Sequence, residues 1–402
     1  MSQSPAGGAP VSRHPALDYL RAFVTLLVIA HHAVLAYHPQ MPKRVESFTA
    51  PPFLWAAFPV LDPQRAPGVD LFVGFNDIFF MSLMFFLSGI FTWPSLSRKG
   101  PGTFFRDRAL RLGIPFVVSA LVLAPVAYFP AFLAITGNHS FSDYLRQWVG
   151  LGFWPAGPAW FIWVLLAFGG IVATLCHLAP NSGIALANLV AGADQMPGRF
   201  FGKLLLASAI VYLPLAMVID PSRWFSFGPF TVQGCRLPLY LLYYLTGAAV
   251  GAAGVDRGLL APEGKLARHW LRWQFLAFSA FIATIICFIM LMGVLTKGGA
   301  APGLRLATNF SFVVSCAASS LMCLAFFLRF AQRHHCLLDS LSRNAYGMYL
   351  VHYCFVNWLQ YALLPSSMPG IAKALIVFVG GTLLSWGTTA VLRKIPAVGR
   401  VI

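Results

Sequence analysis

The chain has 402 residues, of which 58% are hydrophobic and only 10% charged, and its mean hydropathy is +0.73. This composition excludes a soluble globular domain, in which about a quarter of residues are charged. The formal net charge of +16 is dispersed among short loops rather than gathered in a patch, which argues against a nucleic-acid partner and for a lipid bilayer.

Residues 1–15 are rich in Ser, Pro, Gly and Ala and are expected to form a disordered tail. Apolar runs of bilayer-spanning length then recur at about 17–37, 76–96, 111–136, 158–179, 203–220, 236–255, 272–294, 308–329, 345–364 and 371–392. The expected fold class is therefore all-α, a polytopic integral membrane protein with about ten transmembrane helices. These form one domain over 16–395, followed by a short cytoplasmic tail, 396–402. Assigning alternate loops to opposite faces puts nineteen of the 28 basic residues with the two termini and nine on the other side, so both termini are predicted cytoplasmic. The first apolar run is interrupted by Asp18, Arg21 and two histidines and lacks a small-residue cleavage site, so it reads as a mature helix rather than a signal peptide.

That first span, LDYLRAFVTLLVIAHHAVLAY, carries the most informative pattern. Arg21 and His32 are eleven residues apart, about 1100° of helix, and so share one face to within about 20° while lying about 16 Å apart along the axis. His31 points elsewhere. Placing Arg within a membrane costs about 2.5–3.5 kcal/mol, so such a stripe implies a partner, water or a ligand. Asp18 has the spacing for an ion pair with Arg21 and is too far from His32 to orient it. An imidazole at this depth is either satisfied by a neighbouring helix or available to take a proton from a hydroxyl.

The loop at 38–75 holds seven prolines among Phe53, Trp55 and Phe58, and its aromatic residues are expected to rest at the membrane interface or to cover an extracytoplasmic opening. In the second span, Ser88 and Gly89 are expected to permit close helix approach. At the entrance of the third, FFRDRALRLGIPF sets Arg108 and Arg111 three residues apart on the first turns of a helix. There they serve as inner-face anchors or, aided by the helix N-terminus, as a phosphate site, with Asp107 able to pair with Arg111. Pro115 is expected to kink or begin the regular span. Trp160 and Trp163 opening the fourth span, and Tyr346, Tyr349 and Tyr353 in the ninth, read as interfacial anchors. His352 reads as a structural hydrogen-bonding residue or a second functional imidazole. The tract RHHCLLD lacks the spacing of a zinc site, and no metal is expected.

Taken in order, LDYLRAFVTLLVIAHH, FFLSG, RALRLGIP, AWFIW and YGMYLVHY resemble membrane acyltransferase family 3, and the combination of RLGIP with YLVHY resembles its glucan-modifying branch. The resemblance implies an O-acyltransferase that moves an acyl group from cytoplasmic acyl-CoA, its co-substrate, to a carbohydrate or lipid-linked acceptor at a bacterial inner membrane, with no bound cofactor. It implies that His32 is catalytic, as general base or as a transiently acylated group, and that Arg21, Arg108 and Arg111 bind the donor. Asp18, His31, Ser88, Trp160, Tyr349 and His352 are candidate supporting residues. Because no fused esterase-like domain accompanies the spans, direct acylation or hand-over to a partner is expected. A transporter or flippase using the same polar stripe is the alternative of a different class.

Overall fold

The computed structural model describes residues 14–42 and 45–402. The expected disordered tail lies outside the described residues except for His14 and Pro15, which cap and open the first helix. In chain order the helices are α1 (Pro15–Leu35), α2 (Val69–Ile90), α3 (Thr92–Lys99), α4 (Pro101–Arg108), α5 (Ile114–Val118), α6 (Ala124–Thr136), α7 (Phe141–Val149), α8 (Trp160–Leu178), α9 (Ser182–Leu189) and α10 (Pro197–Val218). A two-stranded antiparallel hairpin follows, β1 (Trp224–Phe227) pairing Trp224 with Gln233 of β2 (Phe230–Gln233). Then come α11 (Leu237–Ala253), α12 (Lys265–Arg268), α13 (Trp270–Leu295), α14 (Pro302–Phe330), α15 (Cys336–Leu363), α16 (Gly370–Leu392) and α17 (Pro396–Gly399).

The molecule is an all-α membrane bundle. Among the described residues, eight helices are long and apolar enough to cross a bilayer, with a ninth if Leu237–Ala253 and Gly258–Arg268, bent by 87°, count as one span. Of the ten expected spans, α15 has 28 residues and the length to cross but is more polar than the eight. The reason is its position. α15 packs against α1, α6 and α16, and there it buries His352, Asn357 and Gln360, which hydrogen-bond to those neighbours instead of facing lipid. Arg21 and Ile402 line one cavity, so the start of α1 and the residues after α16 sit at the same end of the bundle, the parity of an even number of crossings.

Pro115 does not start a span. Residues Pro101–Thr136 form one helical run in which π-turns at Ala109–Gly113 and Ser119–Leu123 flank α5. A proline has no N–H to offer the carbonyl four residues back, and side chains from elsewhere supply the missing donors. Tyr346 Oη donates to Arg111 O (2.7 Å), opposite Pro115, and Trp358 Nε1 donates to Val126 O (3.0 Å), opposite Pro130. Asn357 Nδ2 adds a bond to Ala127 O (2.9 Å). Together these bonds fix which face of this run meets α15.

α2 and α11 interlock through Gly89, Gly247 and Gly251, as expected of Gly89. A Cβ at any of the three would strike a backbone carbonyl of the other helix, so only glycine admits this approach. The loop after α1 turns some of its aromatic rings inward, while Phe53 and Phe58 stay half-buried. Trp55 and Phe48 are buried, their rings stacked at 4.4 Å, against Tyr128, Tyr144 and Trp148 of α6 and α7. An aromatic wall is available there, and Trp55 Nε1 also finds Phe48 O at 2.9 Å, so the rings gain more by packing inward than by lying in the headgroups. The same loop is tied to α16 by Lys373 Nζ and Asp62 Oδ2, 2.7 Å apart and sealed from solvent.

Candidate functional site

A cavity of about 650 Å³ opens at the end of the bundle where the chain ends meet, within the range of small-molecule sites. Of the residues expected to form the site, it gathers Arg21, Arg108, Arg111, Ser88 and Tyr349. Arg98, Lys99, Arg343, Arg393 and Arg400 also line it, which makes eight basic side chains against a single acid, Asp107. Sequence reading missed these five as site residues because each is also an ordinary inner-face charge; only their convergence distinguishes them. Residues 399–402, expected as a tail, form part of the wall.

Two of the three predicted donor-side arginines are held by local contacts. Arg21 pairs with Asp18 at 2.9 Å, as the spacing suggested, and its guanidinium lies 5.5 Å from the Phe91 ring centre. Arg108 donates through Nη2 to Thr92 Oγ1 (2.9 Å), which is bonded in turn to Tyr244 Oη (2.8 Å), and rests 4.9 Å over Phe104. The expected contribution of a helix N-terminus is corrected: Arg108 closes α4 and Arg111 sits in the π-turn after it, so the run begins seven residues earlier, at Pro101. Asp107 pairs with Lys99, not with Arg111. Lys99 reaches it because α3 and α4 are packed side by side.

Ser88 lines the cavity and turns its hydroxyl back to Met84 O (2.8 Å). Tyr349 is buried and donates to Pro158 O, which replaces its expected role as an interfacial anchor. Trp160 is likewise no interfacial anchor: it is buried among Phe85, Trp224 and Tyr240 and does not reach the cavity.

His32 is not in the cavity wall. Thr25, on the same face of α1, is, and seven residues of helix place His32 about 10 Å beyond it. The imidazole faces α15, with its ring centre 5.1 Å from His352 and 5.0 Å from Tyr353. Its Nδ1 lies 2.9 Å from Val28 O and 3.2 Å from His352 Nε2, while His352 Nδ1 lies 2.7 Å from Tyr349 O. Carbonyl oxygens only accept, so both Nδ1 atoms carry protons, and His352 Nε2 is left as the second acceptor for His32 Nδ1–H. This fixes the tautomer of His32 and leaves its Nε2 lone pair without a partner among the described residues. A backbone relay thus joins the cavity wall at Tyr349 to His32 by way of His352. His31 turns away as expected, stacking on Phe80 at 5.2 Å.

No curated protein and no solved structure matches the chain at a significant level. A family model described as an acyltransferase domain matches residues 14–390, which takes in every helix from α1 to α15 and nearly all of α16. With the membrane bundle and its basic cavity, this match shows that the chain belongs to acyltransferase family 3, the membrane acyltransferases.

Proposed function

We propose that the protein is an O-acyltransferase that takes an acetyl- or succinyl-class group from cytoplasmic acyl-CoA and esterifies a hydroxyl of a carbohydrate or lipid-linked acceptor, with His32 as the base. The observation that carries this reading is the union of the two halves of the site: eight basic side chains around one cavity, and a tautomerically fixed imidazole joined to its wall through Tyr349 and His352. The multiply charged nucleotide of the donor suits the arginines at the mouth, while the thioester arm extends along the Arg21–Thr25 face of α1 towards His32.

The step balances as an acyl transfer. The acceptor hydroxyl gives its proton to His32 Nε2 as its oxygen attacks the thioester carbonyl; the C–S bond breaks, an ester forms, and the proton passes to the departing thiolate. His352 serves as a positioning residue that keeps the proton of His32 on Nδ1.

The test uses purified full-length protein in lipid nanodiscs with acyl-labelled CoA. Wild type releases CoA and transfers label to acceptor, and His32→Ala lowers turnover by about 10²–10⁴-fold, the usual weight of a general base, while its melting profile is unchanged. Undiminished turnover in that variant removes His32 from the mechanism. Movement of acceptor across sealed vesicles with no acyl-CoA present supports a transporter instead.

A further inference from the structure

A second polar group lies near His31, whose ring stacks on Phe80, one turn along α2 from Asp77, and the donor-side reading gives it no task. Asp77 of α2 pairs with Arg236, the residue just before α11: Nη2 reaches Oδ2 at 2.7 Å and Nη1 reaches the Asp77 carbonyl at 3.2 Å. The pair is lopsided. The Arg236 side chain is 9% exposed and lies 5.0 Å over Phe312, whereas the Asp77 side chain is 43% exposed. Arg236 Nε is buried without a partner, and so is Nδ1 of His31, whose ring centre is 5.5 Å from that of His32. Asp77 Oδ1 likewise has no partner among the described residues.

A group serving only to pin α2 to α11 would be closed on itself, because each buried polar atom left open costs about 1–3 kcal/mol, and Arg236 Nε and His31 Nδ1 are two such atoms. With the half-exposed Asp77 Oδ1, one carboxylate oxygen, one guanidinium N–H and one imidazole nitrogen stay open, the last of them one residue along the chain from the proposed base. An open carboxylate oxygen accepts from one hydroxyl while Arg236 Nε donates to the next. Two such contacts recognise neighbouring hydroxyls, and a simple alcohol satisfies only one of them.

We propose that Asp77, Arg236 and His31 form the acceptor subsite, built for the vicinal hydroxyls of a sugar. This rests on the acyltransferase reading above. It assigns the acceptor a place about 10–16 Å further along α2 than Met84 and Ser88, the residues by which that helix lines the donor cavity.

The experiment measures acetyl transfer by the full-length protein in nanodiscs, using methyl β-D-glucopyranoside and 1-butanol as acceptor probes. Wild type is expected to use the glucoside with a kcat/KM at least tenfold above that for butanol. Asp77→Asn should raise the KM for the glucoside by tenfold or more while the KM for acetyl-CoA stays within twofold. Should that variant fail to fold, His31→Gln, which leaves the ion pair intact, carries the same expectation. Equal use of the two probes, an unchanged glucoside KM, or parallel changes in both KM values overturns the assignment. Transfer that persists but ignores these residues sinks the subsite alone; absence of any CoA release or transfer in wild type sinks the acyltransferase reading with it.

Discussion

Replacing Lys373 with Met should detach the long loop from α16, and the size of the effect follows from how completely its ion pair is enclosed. Lys373 and Asp62 are 0% and 1% exposed in their side chains, with Nζ 2.7 Å from Oδ2. Without the ammonium, Asp62 keeps one contact, the Gln64 backbone N–H at 2.8 Å on Oδ1, and holds an otherwise uncompensated charge where water does not reach. Removing one partner of a buried pair costs about 3–5 kcal/mol, a large part of the about 5–15 kcal/mol that keeps a typical protein folded. The backbone next to Asp62 closes on the end of α1: Asp62 N–H donates to Ala36 O and Ala66 N–H to Tyr37 O, both at 2.9 Å. Lys373→Met should therefore lower the melting temperature and speed amide exchange at residues 62 and 66. The double variant Asp62→Leu, Lys373→Met removes both charges and should recover most of the loss. A single variant that melts like wild type, or a double variant no better than the single, refutes the reasoning.

His352→Phe keeps a ring in place but removes the acceptor for His32 Nδ1–H. Losing one of its two acceptors should lower kcat by about two- to tenfold in single-turnover measurements, far less than His32→Ala. Arg111→Ala should raise the KM for acyl-CoA about tenfold or more, with the gap to wild type narrowing as salt is added. Tyr346→Phe takes the donor from the Arg111 carbonyl and should cost about 1 kcal/mol in melting experiments, together with a smaller rise in the KM for acyl-CoA. Gly247→Ala drives a methyl group into the Phe86 carbonyl and should destabilise by about 1–3 kcal/mol, measured by melting in detergent.

Much of the architecture was legible in the sequence because a bilayer forces long apolar runs and penalises charge within them. The Arg21–His32 stripe, the Asp18–Arg21 pair and the glycine approach at Gly89 each follow from helix geometry within one segment. What eluded the sequence depends on distant segments meeting. The His32–His352 contact joins residues 320 positions apart, and neither histidine betrays it locally. The tyrosines of α15 read as interfacial because apolar residues dominate that segment by count, whereas Tyr349 is buried. The buried His352, Asn357 and Gln360 of α15 make sense only once α1 and α6 supply their partners. The Asp77–Arg236 pair was invisible for the same reason: 159 residues separate its members, and Arg236 read as one more loop charge.

The carbonyls set free by Pro115 and Pro130 carry a mechanical consequence. Their hydrogen-bond donors come from Tyr346 and Trp358, twelve residues apart on α15, so sliding that helix along its neighbour would strip both carbonyls of their donors at once. The paired loss thus penalises any change of register between the segment bearing Arg111 and the one bearing His352. The span between anion grip and imidazole is held to one length, and a substrate must fit that fixed gauge.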